Sequence, residues 1–221
     1  VKPLRLAVLI SGRGSNLIAI DDACREGRLD AKIVFVGSDR AAAGLEAAKA
    51  RGLPALRLDA TGFATRAEHE AAMREAIDAA RPDCVVLAGY MRVLGDRFVV
   101  HYAGRMLNIH PSLLPRYTGL HTHRRVLEAG DRWHGASVHY VTSELDAGPV
   151  VLQGRVPVHP GDDEARLSAR VQACEHIIYP RVLQWIASGR LVYRDGPWFD
   201  GQPLTAPIVE DFLDCNGNTS R

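Results

Sequence analysis

The sequence predicts an α/β fold: a doubly wound, mostly parallel central sheet flanked by helices, with a C-terminal β-hairpin extension and a long helix. Two patterns predict it. Continuous apolar runs over residues 6–10, 33–36 and 84–88 suit strands buried on both faces. Segments of helical apolar spacing separate them, as crossovers between parallel strands require.

The elements follow in order. After the strand over 6–10 comes the turn Ser11-Gly12-Arg13-Gly14-Ser15-Asn16, then Leu17, Ile20 and Cys24 at helical spacing, closed by Gly27. A strand over 33–36, an alanine-rich helix over 41–51, a short strand over 55–58 and a helix over 66–80 follow, the last broken by Arg81-Pro82-Asp83. The strand over 84–88 completes the doubly wound half. Beyond Tyr90 the texture changes: a short strand over 106–109 runs into a loop rich in Pro, Gly and His over 110–123, and long loops in compact domains often carry function. Residues 135–141 and 150–158 read as two strands around Asp146-Ala147-Gly148-Pro149. Asp162 or Asp163 is placed to cap a helix that carries Leu167, Val171, Cys174, Ile178 and Val182 on one face. Pro180 should kink that helix or mark its boundary. Residues after Gly201 read as a tail. With no repeat, low-complexity tract or Ser/Gly linker, a single domain is expected over 1–200, followed by a tail over 201–221.

The chain of 221 residues balances 27 Lys and Arg against 26 Asp and Glu. The field that would steer it onto nucleic acid or an anionic membrane is therefore missing, and a small-molecule substrate fits better. Cys24, Cys84, Cys174 and Cys215 are widely spaced without a C-x-x-C pair. This suits a reducing compartment, and the apolar run near the N-terminus is too short for a membrane span. A cytoplasmic protein is expected.

The glycine turn lets the backbone approach a ligand closely, with N–H groups of the next helix facing it, and a phosphate would fit there. It is not a dinucleotide fingerprint, because the third glycine would fall at Leu17, and no Lys-Ser/Thr pair makes it a P-loop. A plain strand-to-helix turn capped by Ser15 or Asn16 explains the glycine pair equally well. Asn108 and His110 stand two apart at a strand end, so their side chains share a face. Pro111 biases His110 toward an extended backbone at the carboxyl edge of the sheet, where open α/β sheets bind ligands. An amide donor beside an imidazole can stabilise an oxyanion, and losing one such donor costs about 3 kcal/mol in barrier. Acyl-type transfer is the matching chemistry, although a lone His at a strand end is commonly structural. Asp146, set beside His110, would favour its protonated form; ordinary turn chemistry also accounts for an Asp there. His121-Thr122-His123 lacks the cysteines or the H-E-x-x-H pattern of a zinc site, so no metal is expected. No G-x-S-x-G elbow supports a serine hydrolase.

Taken together, Ser11-Gly12-Arg13-Gly14-Ser15-Asn16-Leu17, Leu87-Ala88-Gly89-Tyr90-Met91-Arg92, Leu107-Asn108-Ile109-His110-Pro111-Ser112-Leu113-Leu114-Pro115 and Glu144-Leu145-Asp146-Ala147-Gly148-Pro149 resemble the phosphoribosylglycinamide formyltransferase family. The resemblance runs in order from Arg5 to about Phe199. It implies transfer of a formyl group from 10-formyltetrahydrofolate, as co-substrate, to the amine of glycinamide ribonucleotide in purine synthesis, with no metal and no covalent enzyme intermediate. It implies a phosphate-binding half over about 1–105 and a folate and catalytic half over about 106–200. The phosphate and ribonucleotide would lie on Gly14, Ser15, Asn16 and Leu17, with Gln172 and Glu175. The folate would be held by Arg66, Met91, Arg92, Val93, Leu94, Asn108, Thr142, Ser143, Glu144, Leu145 and Asp146. His110 would be the proton donor, with Asn108 polarising the formyl oxygen and Asp146 sustaining the protonation of His110. Arg13, Thr118, Ala147 and Cys174 depart from the family pattern without removing a catalytic group. A homodimer and a monomer both suit the resemblance. Among relatives of other activity, formyltetrahydrofolate deformylase carries a further domain before the shared core, whereas the first strand here begins by residue 6. Methionyl-tRNA formyltransferase needs a basic tRNA surface that a near-neutral chain does not offer. A non-catalytic sugar-phosphate-binding protein would have no need of Asn108, His110 and Asp146 together.

Overall fold

The computed structural model describes residues 2–213. In chain order the strands are β1 (Leu4–Ile10), β2 (Ala31–Ser38), β3 (Ala55–Arg57), β4 (Cys84–Leu87), β5 (Met106–His110), β6 (Trp133–Tyr140), β7 (Val150–Pro157), β8 (Leu191–Tyr193), β9 (Pro197–Phe199), β10 (Gln202–Pro203) and β11 (Ile208–Asp211). The helices are α1 (Ser15–Arg25), α2 (Ala43–Ala50), α3 (Arg66–Ala79), α4 (Asp96–His101), α5 (Thr122–Ala129) and α6 (Glu164–Ala187).

One eight-stranded sheet has the order β11-β7-β6-β5-β4-β1-β2-β3. The pairs from β3 through β5 are parallel, β6 and β7 form an antiparallel hairpin beside β5, and β11 adds in parallel to β7. Strands β8, β9 and β10 make a separate small sheet. Chain order runs outward in opposite directions from β1 and β4, so the gap between their carboxyl ends is the topological switch point where such sheets open a crevice.

Burial on both faces explains the unbroken apolar runs. In β1, Leu6, Val8 and Ile10 join one core cluster with Leu17 and Ile20 of α1 and Leu167, Val171 and Ile178 of α6. Ala7 and Leu9 point into a second cluster with Met73 and Ile77 of α3 and Phe98 and Val99 of α4.

The structure adds to or departs from the sequence reading in several places. Helix α4 was not expected; it has six residues and buries only Phe98 and Val99, too short for a periodic signal. Helix α5 begins at Thr122, inside the segment read as loop, and buries only Thr122 and Val126. Pro180 does not end its helix: α6 runs from its Asp163 cap, which accepts from Arg166 N, through Pro180 to Ala187. A proline removes one helix hydrogen bond, and the fully buried Ile178, Tyr179, Val182 and Leu183 around it hold the helix in place. The expected tail is also partly strand. Residues 202–203 pair with β9, β11 pairs with β7, and Arg155 and Asp211 form a salt bridge at 2.6 Å across that last pair. Cys215 and the end of the expected tail lie outside the described residues.

The glycine turn is shaped by a second glycine contact. Gly14 takes a left-handed φ of 73°, and Gly44 at the start of α2 donates its N–H to Gly12 O at 3.0 Å. A Cβ on Gly44 would stand 2.8 Å from Gly14 Cα and 2.9 Å from Gly12 O, and backbone atoms cannot give way as a flexible side chain would. Gly44→Ala is therefore expected to destabilise the fold by about 1–3 kcal/mol, the usual cost of overpacking, read as a lower midpoint in urea unfolding. An unchanged midpoint would show that the turn tolerates the added carbon.

Candidate functional site

The carboxyl ends of β4 and β5 open onto one cleft of about 570 Å³. Asn108 and His110 both line it, as their two-residue spacing on a strand requires. The β6–β7 hairpin turns back beside β5, pairing Asn108 with His139 and His110 with Ser137. Its turn carries Asp146 into the same cleft. Asp146 holds a left-handed φ of 54°, which Asp tolerates better than most residues.

His110 and Asp146 meet: Nδ1 of the imidazole lies 3.5 Å from Oδ2 of the carboxylate, with side chains 8% and 6% exposed. His110 Nε2 donates to the Tyr117 carbonyl at 2.9 Å. Each ring nitrogen thus faces an acceptor, an arrangement complementary to the imidazolium. Gly119 N–H donates to Asp146 Oδ2 at 2.9 Å, so the loop over 110–123 and the hairpin turn are joined at a single carboxylate.

His139 was not foreseen, and its neighbours in the sequence form no motif. Its Nδ1 donates to Tyr140 O at 3.0 Å, which leaves Nε2 to accept from Asn108 Nδ2 at 3.2 Å. Burial holds His139 below the ordinary histidine range, so it stays neutral and fixes the direction of the Asn108 amide. The only sequence signal is that His139 falls on the strand that returns beside Asn108.

Met91, Arg92, Val93, Leu94, Thr142, Ser143, Glu144 and Leu145 line the cleft with Asn108 and Asp146. Met91, Val93, Leu120 and Leu145 are exposed there and give it an apolar rim. Arg66 is not among the lining residues. It stands at the start of α3, where its Nε donates to Glu70 at 2.6 Å; Glu70 in turn accepts from Gly95 N–H, next to Leu94. His123, also lining the cleft, lies with Nδ1 3.0 Å from His134 Nε2, and burial with the His123 charge pushes His134 down to about 3. His121 does not join them, and among the described residues no group of three or more His, Cys, Asp or Glu is placed to hold a metal.

The glycine turn meets α6. Gln172 Nε2 donates to Ser15 Oγ at 3.2 Å, and Asn16 Nδ2 donates to Glu175 Oε2 at 2.8 Å. Neither Ser15 nor Asn16 caps α1: its N-cap is Gly14, no side chain caps it, and its first turn holds no acid. The first amides of the helix therefore point outward as donors, the geometry that takes an anion. Leu17 is in the core at 1% exposure, so only its backbone can serve a ligand. Among the described residues Asn16 Oδ1 is buried without a partner. Burial pushes the Glu175 carboxyl up to about 6, against the Asn16 hydrogen bond that lowers it.

A family model described as formyl transferase matches residues 4–183. The chain is 53% identical over 203 residues to phosphoribosylglycinamide formyltransferase of Escherichia coli, covering 91% of this chain and 96% of that protein. It is 44% identical over 202 residues to the protein of the same name from Haemophilus influenzae, covering 90% and 95%. A solved phosphoribosylglycinamide formyltransferase from Coxiella burnetii matches with a TM-score of 0.90 at 49% identity, covering 94% of this chain and 99% of that one.

Glu175 makes a pH-dependent prediction. A carboxyl whose folded value is raised binds its proton more tightly in the fold than in the unfolded chain. Its contribution to stability is full below about pH 4.5 and is lost as pH rises through about 6. Between pH 4 and pH 7 the wild type should lose about 2 kcal/mol more unfolding free energy than Glu175→Gln, measured by urea denaturation at the two pH values. Equal losses in both proteins would refute the raised value.

Proposed function

Because the chain belongs to the formyl transferase family, and within it to the phosphoribosylglycinamide formyltransferases, we infer that it transfers a formyl group from 10-formyltetrahydrofolate to glycinamide ribonucleotide in purine biosynthesis. The observation that carries the reading is the meeting of Asn108, His110 and Asp146 in an apolar-rimmed cleft at the same sheet edge as the uncapped glycine turn.

The ribonucleotide phosphate is assigned to the amides of Gly14, Ser15, Asn16 and Leu17, with Gln172 and Glu175 beside the rest of that substrate. The pterin is assigned to the cleft along Met91–Leu94 and Thr142–Asp146. Arg66, outside that lining, is left for the charged tail of the folate, which would reach past Gly95.

The reaction then has a simple balance. The glycine amine attacks the formyl carbon, a C–N bond forms, and the carbonyl pair moves to oxygen. Asn108 supplies the amide N–H that His139 does not take, and His110 supplies a proton, so both steady the oxyanion. As the tetrahedral carbon collapses, its bond to N10 breaks, and the proton lost by the amine is replaced on N10. The Nε2 proton of His110 is held by the Tyr117 carbonyl, so the transferable proton is the one on Nδ1, beside Asp146. Asp146 sustains that proton and assists the shuttling of the amine's proton, through water, to N10. The thiols of Cys24 and Cys84 suit a cytoplasmic setting, and among the described residues no helix is long and apolar enough to cross a membrane.

Asp146→Asn should lower kcat by about 10²–10⁴-fold, the usual contribution of positioned acid–base groups, with Kd for glycinamide ribonucleotide changed only modestly. Near-normal turnover would remove Asp146 from the chemistry. Product formation from 10-formyltetrahydrofolate should also depend on glycinamide ribonucleotide; equal turnover without the amine would instead identify a hydrolase.

A further inference from the structure

At the switch point, the loops leaving β1 and β4 share one side chain. Ser11 follows β1 directly. Its Oγ donates to Asp39 Oδ1 at 2.6 Å and accepts from Met91 N–H at 2.9 Å, while Ser11 N–H donates to Gly89 O at 3.1 Å. Asp39, just past β2, is 2% exposed, and its other oxygen is held by Arg40 at 2.8 Å. Burial pushes the Asp39 carboxyl up, but hydrogen bonds from Arg40 and Ser11 outweigh it and hold the group below its ordinary value. An ionised carboxylate only accepts. The hydroxyl proton is therefore committed to Asp39, and a lone pair is directed at Met91.

From this hydroxyl the chain runs one way into the turn Gly12–Asn16 and, through Met91, the other way along the wall of the cleft. Among the described residues it is the one side-chain hydrogen bond between these two segments. Without it, the Met91 N–H and one oxygen of the buried Asp39 both lose their partner, and such groups are costly to leave unpaired.

We propose that Ser11 is a positioning residue that couples the two substrate sites, so that ligand on the glycine turn and ligand along Met91–Leu94 each favour the bridged arrangement and each tighten the other. The coupling rests on the assignment of phosphate to the turn and folate to the cleft. By linkage, the factor by which one ligand improves the affinity of the other is the same in both directions. A residue that only supported the fold would change stability and leave that factor alone.

The test uses the non-reacting pair of glycinamide ribonucleotide and tetrahydrofolate. The Kd of tetrahydrofolate is measured by calorimetry, with and without saturating ribonucleotide, in the wild type and in Ser11→Ala, alongside thermal unfolding. In the wild type the ribonucleotide should tighten tetrahydrofolate by a factor within the usual range of about 5–150-fold; in Ser11→Ala the factor should fall toward one. Ser11→Cys, which keeps the size and exchanges the hydroxyl for a weak donor and acceptor, gives the same readout if the alanine variant does not fold. A wild-type factor of one, or an undiminished factor in a folded variant, overturns the coupling while leaving the functional reading intact. Failure of either ligand to bind the wild type overturns the functional reading, and the coupling with it.

Discussion

Everything at the functional end of this molecule depends on two adjacent parallel strands, β1 and β4, that are buried on both faces and whose connections depart in opposite directions. Loops that continued the same way would close over the sheet edge. Loops that diverge leave a gap, and the backbone amides and carbonyls released at the strand ends must be satisfied there by other means. Ser11, Gly89 and Met91 satisfy one another across the gap. On either side of them lie the amide-lined turn and the apolar cleft, which differ in chemistry because a helix start is polar and a strand edge covered by a loop is not.

The second constraint is a buried charge. Asp146 is nearly sealed from solvent, and an unpaired carboxylate there would be expensive. The fold answers with the Gly119 N–H at one oxygen and the His110 ring at 3.5 Å. These partners come from a stretch of chain separate from the hairpin turn that carries Asp146, so the cost of burying the charge enforces the convergence that acyl-transfer chemistry needs. His139 plays a different part from His110: burial keeps it neutral, and a neutral ring with one nitrogen committed to Tyr140 O can orient the Asn108 amide without competing for the proton.

The sequence was most legible where burial is most complete. Residues 6–10 and 84–88 are unbroken apolar because both faces are covered, and the structure places β1 and β4 there. The period of two put Asn108 and His110 on one face. Short or sparsely buried elements left no such mark. Helix α4 has one turn, α5 buries two residues, and β11 has Ile208 and Val209 followed by two acids. Pro180 does not mark a boundary, because propensity speaks of an isolated helix while α6 is held by its buried flanks. The approach of Asp146 to His110 spans 36 positions and depends on a hairpin register and a left-handed residue, neither of which is written in local pattern. Arg66 joined the folate residues only through resemblance, and it stands beyond the residues that line the cleft.

Strand β11 has a consequence for the behaviour of the molecule among its own copies. A sheet that ended on β7 would present an eight-residue strand with a long row of unpaired backbone groups, a template for recruiting further chains. The described sheet ends instead on four residues, two of which are Glu210 and Asp211, tied to Arg181 and Arg155. Charged side chains on so short an edge oppose edge-to-edge pairing with another copy. The segment read as a tail from sequence thus works as a selvedge, finishing the sheet where it would otherwise unravel into aggregation.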